Sequence, residues 1–188
     1  YLYQDGAREG RDDDIINVNK CRDVVSQIDW ECEVHTKFQE KNFGCDPSEF
    51  IAQKWMFETE EMGIILEDDD VPSQSFYPFC KELLIKYKDD QRINMICGMN
   101  NTGVSNHIES SYLFTKKGSI WGWASWKRVL DTWDAKYTWL DDPEKLESIK
   151  KQVSEYEYET FISTASWHKS TGKEYYESIR NANQFTNA

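Results

Sequence analysis

The spacing of apolar residues predicts a regular alternation of strands and helices in the first half of the chain. Apolar or alternating runs predict strands at Tyr1–Gln4, Cys32–Phe38, Gly63–Leu66 and Ile93–Cys97. A helical stretch separates each strand from the next. The clearest is Phe76–Tyr87, whose apolar residues recur every three or four positions. This order is typical of an α/β fold with a mostly parallel sheet flanked by helices.

The second half of the chain is more polar and less regular. A polar loop leads to a short predicted strand at Tyr112–Phe114. The segment Trp121–Trp126 holds three tryptophans within six residues, a pattern that suits either a core or a wall on which sugars stack. From its last tryptophan an amphipathic helix is predicted to continue to Trp133, and charge-rich helical patterns follow at Lys145–Tyr158 and Phe161–Ile179.

Four acidic residues, Glu67 to Asp70, follow directly after the apolar strand at Gly63–Leu66. Open α/β sheets bind ligands at the carboxyl ends of such strands. Adjacent carboxylates repel one another, which favours a hard divalent cation such as Mg²⁺ or Mn²⁺ with oxygen ligands. In an extended chain Glu67 and Asp69 would point to one side, and Asp68 and Asp70 to the other. A solvated acidic turn that closes a strand is the simpler interpretation, and it stays open.

The amino-acid composition limits which binding partners and which cellular compartment the protein can have. The net charge of −12 argues against non-specific binding of nucleic acid and against anionic membranes. No run approaches the ~20 apolar residues that span a bilayer. The five cysteines are an odd number without a CxxC spacing, which favours reduced, buried thiols in a cytoplasmic protein over a disulfide framework or a zinc site.

Several stretches resemble nucleotide-sugar-dependent glycosyltransferases of the GT-A fold. The likeness is strongest to bacterial family 2-like enzymes of the hemolytic-protein-like group, and more distant to N-acetylglucosaminyltransferase I. An acidic triplet alone is a weak signal, but here it follows a GIIL strand and precedes SFYPFC and WGWASW. The matching stretches are Tyr3–Gly6, Asn42–Cys45, Gly63–Pro72, Ser75–Cys80 and Ile120–Arg128.

The resemblance implies a domain organisation. The chain would be a single partial GT-A domain, truncated at both ends. Residues 1–98 would form the nucleotide-sugar-binding half, and residues 99–188 an incomplete acceptor-side half. It also implies a bacterial protein that is cytoplasmic, or peripheral to the inner membrane.

The resemblance also implies roles for individual residues. Asp69, the last residue of the EDD form of the DxD motif, would bind Mn²⁺ or Mg²⁺. Asp70 stands where this family more often has a small residue, and it is a second candidate metal ligand. The expected substrate-binding residues are Asp5, Asn42, Gly44, Glu67, Asp68, Trp121, Gly122 and Trp123.

The implied reaction is transfer of a sugar from a nucleotide diphosphate sugar to a glycan or lipid-linked acceptor, with inversion. A divalent cation on the diphosphate neutralises the leaving group, so no acid need protonate it. An inverting transfer needs one general base to take the proton of the acceptor hydroxyl. The family pattern places this base beyond Ala188. Within the chain Asp142 is the weak candidate.

Two other functions remain open. A DxD-type phosphohydrolase would use Asp68 as nucleophile and Asp70 as acid, but the residues that follow, Val71-Pro72-Ser73, fit that pattern poorly. A non-catalytic sugar- or nucleotide-binding fragment would use the acidic run and the tryptophan cluster. The position of Pro72 excludes an EF-hand loop.

Overall fold

A computed structural model describes residues 1–100, 103, 109–116, 118–134, 136–167 and 169–170 of the 188. The chain divides into two compact units, one formed by Tyr1–Ala52 with the chain from Asp134 onward, the other by Gln53–Trp133. The prediction of a mixed α/β protein is confirmed. The strands are β1 (Leu2–Gln4), β2 (Thr36–Phe38), β3 (Met62–Ile65), β4 (Ile96–Cys97) and β5 (Trp123–Trp126). The helices are α1 (Asp12–Val25), α2 (Cys45–Phe57), α3 (Phe76–Lys86), α4 (Lys127–Leu130), α5 (Pro143–Lys150) and α6 (155–167), with a 3₁₀ turn at Thr138–Asp141.

In the first unit β1 and β2 form a parallel pair, with Leu2 opposite Thr36 at one end of the ladder. The intervening helix α1 is joined to this pair by Arg22. Its guanidinium donates to the side-chain oxygen of Gln4 at 3.1 Å and to the backbone oxygen of Gln39 at 2.7 Å. Arg22 therefore connects α1 by hydrogen bonds to the carboxyl ends of both β1 and β2.

In the second unit β5 lies between β3 and β4 and is antiparallel to both. β3 and β4 therefore run in the same direction without pairing with each other. Helix α3 packs its apolar stripe on this sheet, as its spacing predicts. The buried core of the unit consists of Phe76, Cys80, Leu83, Leu84, Ile96, Ala124 and Trp126. Among the described strands only β1 and β2 form a parallel pair.

Two local predictions in this unit are wrong. The segment Tyr112–Phe114 is not a strand. It is held instead by the Tyr112 hydroxyl, which accepts a hydrogen bond from Lys86 and shares one with Tyr87, both at 2.7 Å. The helix predicted from Trp126 to Trp133 is reduced to the four residues of α4, because Trp126 pairs within β5 and its indole donates to a backbone carbonyl of α3.

Arg128, in α4 just after β5, binds the chain that leaves α3. Its guanidinium lies 4.5 Å from the ring centre of Trp126. It also donates to four backbone carbonyls at 2.8–3.3 Å, those of Tyr87, Lys88, Asp90 and Ile93. These carbonyls follow the helix. Those of Tyr87 and Asp90 also accept turn hydrogen bonds from backbone N–H groups, so Arg128 adds a charged donor to the four carbonyls.

The last helices differ from their predicted bounds because of two caps. α5 begins at Pro143, earlier than predicted, since Asp142 caps it and proline suits the first helical position. It ends at Lys150, and a second helix starts at 155. Ser154 and Glu157 exchange side-chain and backbone hydrogen bonds there, a capping box that breaks the predicted continuous helix. The predicted helix beyond residue 170 lies outside the described residues.

No helix in the described part of the chain is both long and apolar enough to cross a membrane.

Candidate functional site

The acidic run forms a tight turn at the carboxyl end of β3. The chain reverses at Asp68 and Asp69, and the Asp70 N–H donates to the Glu67 carbonyl at 3.2 Å. The alternation expected of an extended chain therefore does not apply. Asp68 and Asp69 are exposed at the tip of the turn, while Glu67 and Asp70 are half-buried.

Asp70 connects this turn to the segment that enters β5. Its Oδ2 accepts hydrogen bonds from the Glu67 N–H at 3.0 Å and from the Gly122 N–H at 2.9 Å. Gly122 is buried and adopts a left-handed backbone conformation, with φ of +63°. A side chain there would be strained by the backbone alone, and its Cβ would lie 3.7 Å from Leu66 and Phe76.

Within the described residues no three His, Cys, Asp or Glu side chains are grouped as a metal site. The exposed pair Asp68 and Asp69 supplies carboxylate oxygens. This donor set suits Mg²⁺ or Mn²⁺, which often bind one or two carboxylates and complete their shell with substrate phosphates and water. The residues present therefore fit such an ion.

The tryptophan cluster divides between the core and the surface. Trp123 and Trp126 are 8% and 2% exposed within β5. Trp121 is 59% exposed and stands beside Gly122, with Ile120 also exposed. The core interpretation therefore holds for two of the three tryptophans. Only Trp121 presents an indole face on which a sugar could stack.

Three predicted substrate-binding residues, Asp5, Asn42 and Gly44, come together at the end of β1 in the first unit. Oδ1 of Asp5 accepts from the N–H groups of Gly6 and Phe43, both at 2.9 Å. Its Oδ2 accepts from the Phe43 N–H at 3.0 Å and the Gly44 N–H at 2.9 Å. The Asn42 side chain donates to the Gly6 carbonyl at 2.9 Å. We call this group the Asp5 clamp; its members bond to one another.

Two glycines give the clamp its shape. Gly44 has a φ of +86°, which favours glycine. At Gly6 a Cβ would lie 2.5–2.7 Å from backbone atoms of Lys41, so the two chain segments approach too closely for any side chain. The clamp therefore depends on Asp5, Gly6 and Gly44 together.

The weak candidate for the general base, Asp142, has a structural role. Its carboxylate accepts from the N–H groups of Glu144 at 3.0 Å and Lys145 at 3.2 Å, which are the cap bonds of α5. The carboxylate of Asp134, like that of Asp142, accepts hydrogen bonds from nearby residues. Burial tends to raise the pKa of Asp134, but the bonds from the Thr138 hydroxyl and from backbone N–H groups outweigh this effect and lower the pKa. A lowered pKa makes Asp134 a weak base.

One polar cluster has no signal in the sequence. Lys86, Tyr87 and Tyr112 form a chain of hydrogen bonds, and the bond from Lys86, followed by that from Tyr87, lowers the pKa of the Tyr112 phenol. The partners are about 25 residues apart, so no local pattern could have predicted it.

A shallow, open depression of about 500 Å³ lies along α5. Its lining consists of Pro143, Glu144, Glu147, Ser148 and Lys151. None of the predicted site residues lines it, and its open shape offers little enclosure for a ligand.

No family model, no curated protein and no solved structure matches this chain. Its function must therefore be inferred from its own residues.

Proposed function

We propose that this chain acts as a GT-A glycosyltransferase that transfers a sugar, with inversion, from a nucleotide diphosphate sugar to a glycan or lipid-linked acceptor. One observation carries the proposal: Asp68 and Asp69 lie exposed in a fixed turn at the carboxyl end of β3. In open α/β sheets ligands bind at the carboxyl ends of the parallel strands, and β3 and β4 run in the same direction on either side of β5. The sequence motifs between Tyr3 and Arg128 support the same assignment.

In this proposal Asp69 holds a divalent cation, Mn²⁺ or Mg²⁺. The cation would neutralise the charge that develops on the departing nucleoside diphosphate. Glu67 and Asp68 then contact the nucleotide and the sugar. Trp121, on the chain that Asp70 holds against the turn, offers an exposed indole on which the sugar ring could rest.

Calorimetry with Mn²⁺ and a panel of nucleoside diphosphates tests the proposal directly. We expect the wild-type chain to bind one of them only when the metal is present. Asp69→Ala should weaken this binding at least about tenfold, because it removes a charged ligand of the ion. Asp89→Ala is the matched control: Asp89 is an exposed carboxylate of the same unit, outside the turn. Equal binding by wild type and Asp69→Ala would contradict the role of Asp69.

The phosphohydrolase alternative is less well supported. It requires Asp70 to act as an acid, whereas one oxygen of Asp70 already accepts two backbone N–H bonds. Release of phosphate from a simple phosphomonoester, lost in Asp68→Ala, would favour it over sugar transfer. Nucleotide binding without release of a nucleoside diphosphate from any sugar donor would favour the non-catalytic alternative.

A further inference from the structure

Asp70 bonds to two parts of the chain that are far apart in sequence. The Glu67 N–H belongs to the acidic turn itself. The Gly122 N–H lies 52 residues further along. Both donate to the same oxygen, Oδ2, and in the described part of the chain the other oxygen takes no hydrogen bond.

Gly122 is where the three strands of the second unit converge. The ladder between β3 and β5 ends at the pair Ile65 and Trp123, immediately before this glycine. The Gly122 carbonyl accepts from the Gly98 N–H at 2.8 Å, just after β4. Its N–H donates to Asp70 rather than to a strand partner. The side chain of Asp70 thus continues the connection between the segments beyond the end of the ladder.

From this geometry we infer that Asp70 is a positioning residue, not a metal ligand: it latches the acidic turn to Gly122 and so fixes where Asp68 and Asp69 are presented. The latch is a property of the fold, and its effect on a bound cation rests on the function proposed above. Hydrogen bonds to an ionised acceptor are stronger than neutral ones, so a carboxylate suits this place.

The inference distinguishes two substitutions at the same position. Asp70→Asn keeps one carbonyl oxygen, which can accept both N–H groups, and its NH₂ takes the place of the oxygen that takes no hydrogen bond from the described residues. Asp70→Ala removes the acceptor altogether and leaves the Gly122 N–H buried without one. If Asp70 were a metal ligand, Asp70→Asn would behave differently, because loss of the negative charge alone would weaken the binding of the ion.

Amide hydrogen exchange measures the latch without any ligand. In Asp70→Ala we expect the Gly122 amide to exchange at least about tenfold faster than in wild type, since a buried N–H loses a charged acceptor. In Asp70→Asn the change should stay within about threefold, since an acceptor remains. Unchanged exchange in Asp70→Ala, or equal acceleration in both variants, would overturn the latch. If Asp70→Ala does not fold, the scalar coupling across the hydrogen bond from the Gly122 amide to the Asp70 carboxylate carbon, measured by NMR in the wild-type chain, decides the same point: its presence supports the latch and its absence overturns it.

Titration with Mn²⁺ and the nucleoside diphosphate that binds best then tests the positioning role. We expect Asp70→Asn to bind within about threefold of wild type, and Asp69→Asn to lose at least about tenfold. Equal losses in the two variants would make Asp70 a ligand and overturn the inference. If the wild-type chain binds no nucleotide with Mn²⁺, the proposed function fails, while the exchange experiment still decides whether the latch exists.

Discussion

Replacement of Asp5 by asparagine should destabilise the first unit, although the two side chains have nearly the same shape. Both oxygens of Asp5 accept backbone N–H groups. Whichever way the asparagine amide is turned, its NH₂ group faces one of these donors, and no hydrogen bond can form there. The remaining bonds also lose their ionised acceptor.

The expected cost follows from this geometry. A half-buried N–H that loses its acceptor costs about 1–3 kcal/mol. We take about 2 kcal/mol for Asp5→Asn, which corresponds to an approximately thirtyfold faster exchange of the Gly44 amide when opening and closing are fast compared with the exchange step itself. The expected fall in the melting temperature is about 4–8 °C. Asp29→Asn, at an exposed carboxylate of the same unit, serves as the control.

Amide exchange and a thermal melt should be measured for Asp5→Asn, Asp5→Ala and the control. Asparagine should be at least as harmful as alanine, because alanine leaves room for water while the amide places a donor against a donor. A clearly milder effect of asparagine would refute the donor–donor argument. An effect of Asp5→Asn no larger than that of Asp29→Asn would refute the clamp.

Three further predictions concern the fold and its ion pairs. Arg128→Ala should lower the free energy of unfolding of the second unit by about 3 kcal/mol, since several carbonyls lose a charged donor; Arg92→Ala, at a highly exposed side chain, should change little in the same urea titration. Gly6→Ala should lower the melting temperature more than Gly63→Ala, because a methyl group meets rigid backbone at Gly6 but the flexible end of a methionine side chain at Gly63. The hydrogen bond from Arg92 is the main cause of the pKa of Asp90 near about 2, so Arg92→Ala should return that pKa towards its ordinary value in an NMR titration. Because the pair is exposed to solvent, its contribution to stability is small; it is present above the unfolded pKa and is lost as the pH falls towards about 2. A pKa of Asp90 that stays low without Arg92 would contradict the stated cause of that pKa. Equal melting temperatures for the two glycine variants would contradict the argument from the backbone contact at Gly6. Equal urea midpoints for the two arginine variants would contradict the stabilising role of Arg128.

The sequence was most informative where structure depends on local spacing. The apolar run after Gly63 and the stripe of α3 were predicted within a residue or two of their bounds, because burial of a strand or a helix face leaves a regular pattern. The prediction of a strand at Tyr112–Phe114 was wrong, because here the spacing of aromatic residues reflects contacts with a distant helix and not a strand. Its aromatic residues pack at the side of α3 through Tyr112, so alternation did not indicate a sheet.

The chemistry at the turn was only partly readable. Four consecutive acidic residues predicted a cation site at the end of β3, which stays a prediction; the structure shows that Asp68 and Asp69 are exposed there. The residues next to Asp70 in sequence could not show whether it is a metal ligand. The Gly122 N–H that donates a hydrogen bond to its carboxylate lies 52 residues away. The same holds for Asp5, because its hydrogen-bond partners Phe43 and Gly44 follow it in sequence only after α1 and β2.

By itself, then, the sequence determined the mixed α/β character, the strand that ends in carboxylates and the helix that follows it. Those features arise from interactions between residues a few positions apart. Only the tertiary structure decided which carboxylates are free to meet a ligand and which are bound by backbone N–H groups, and which of the clustered tryptophans faces solvent. The physical reason is that a hydrogen-bond donor or a covering side chain acts through space. Its position depends on how distant segments pack, which no single stretch of sequence records.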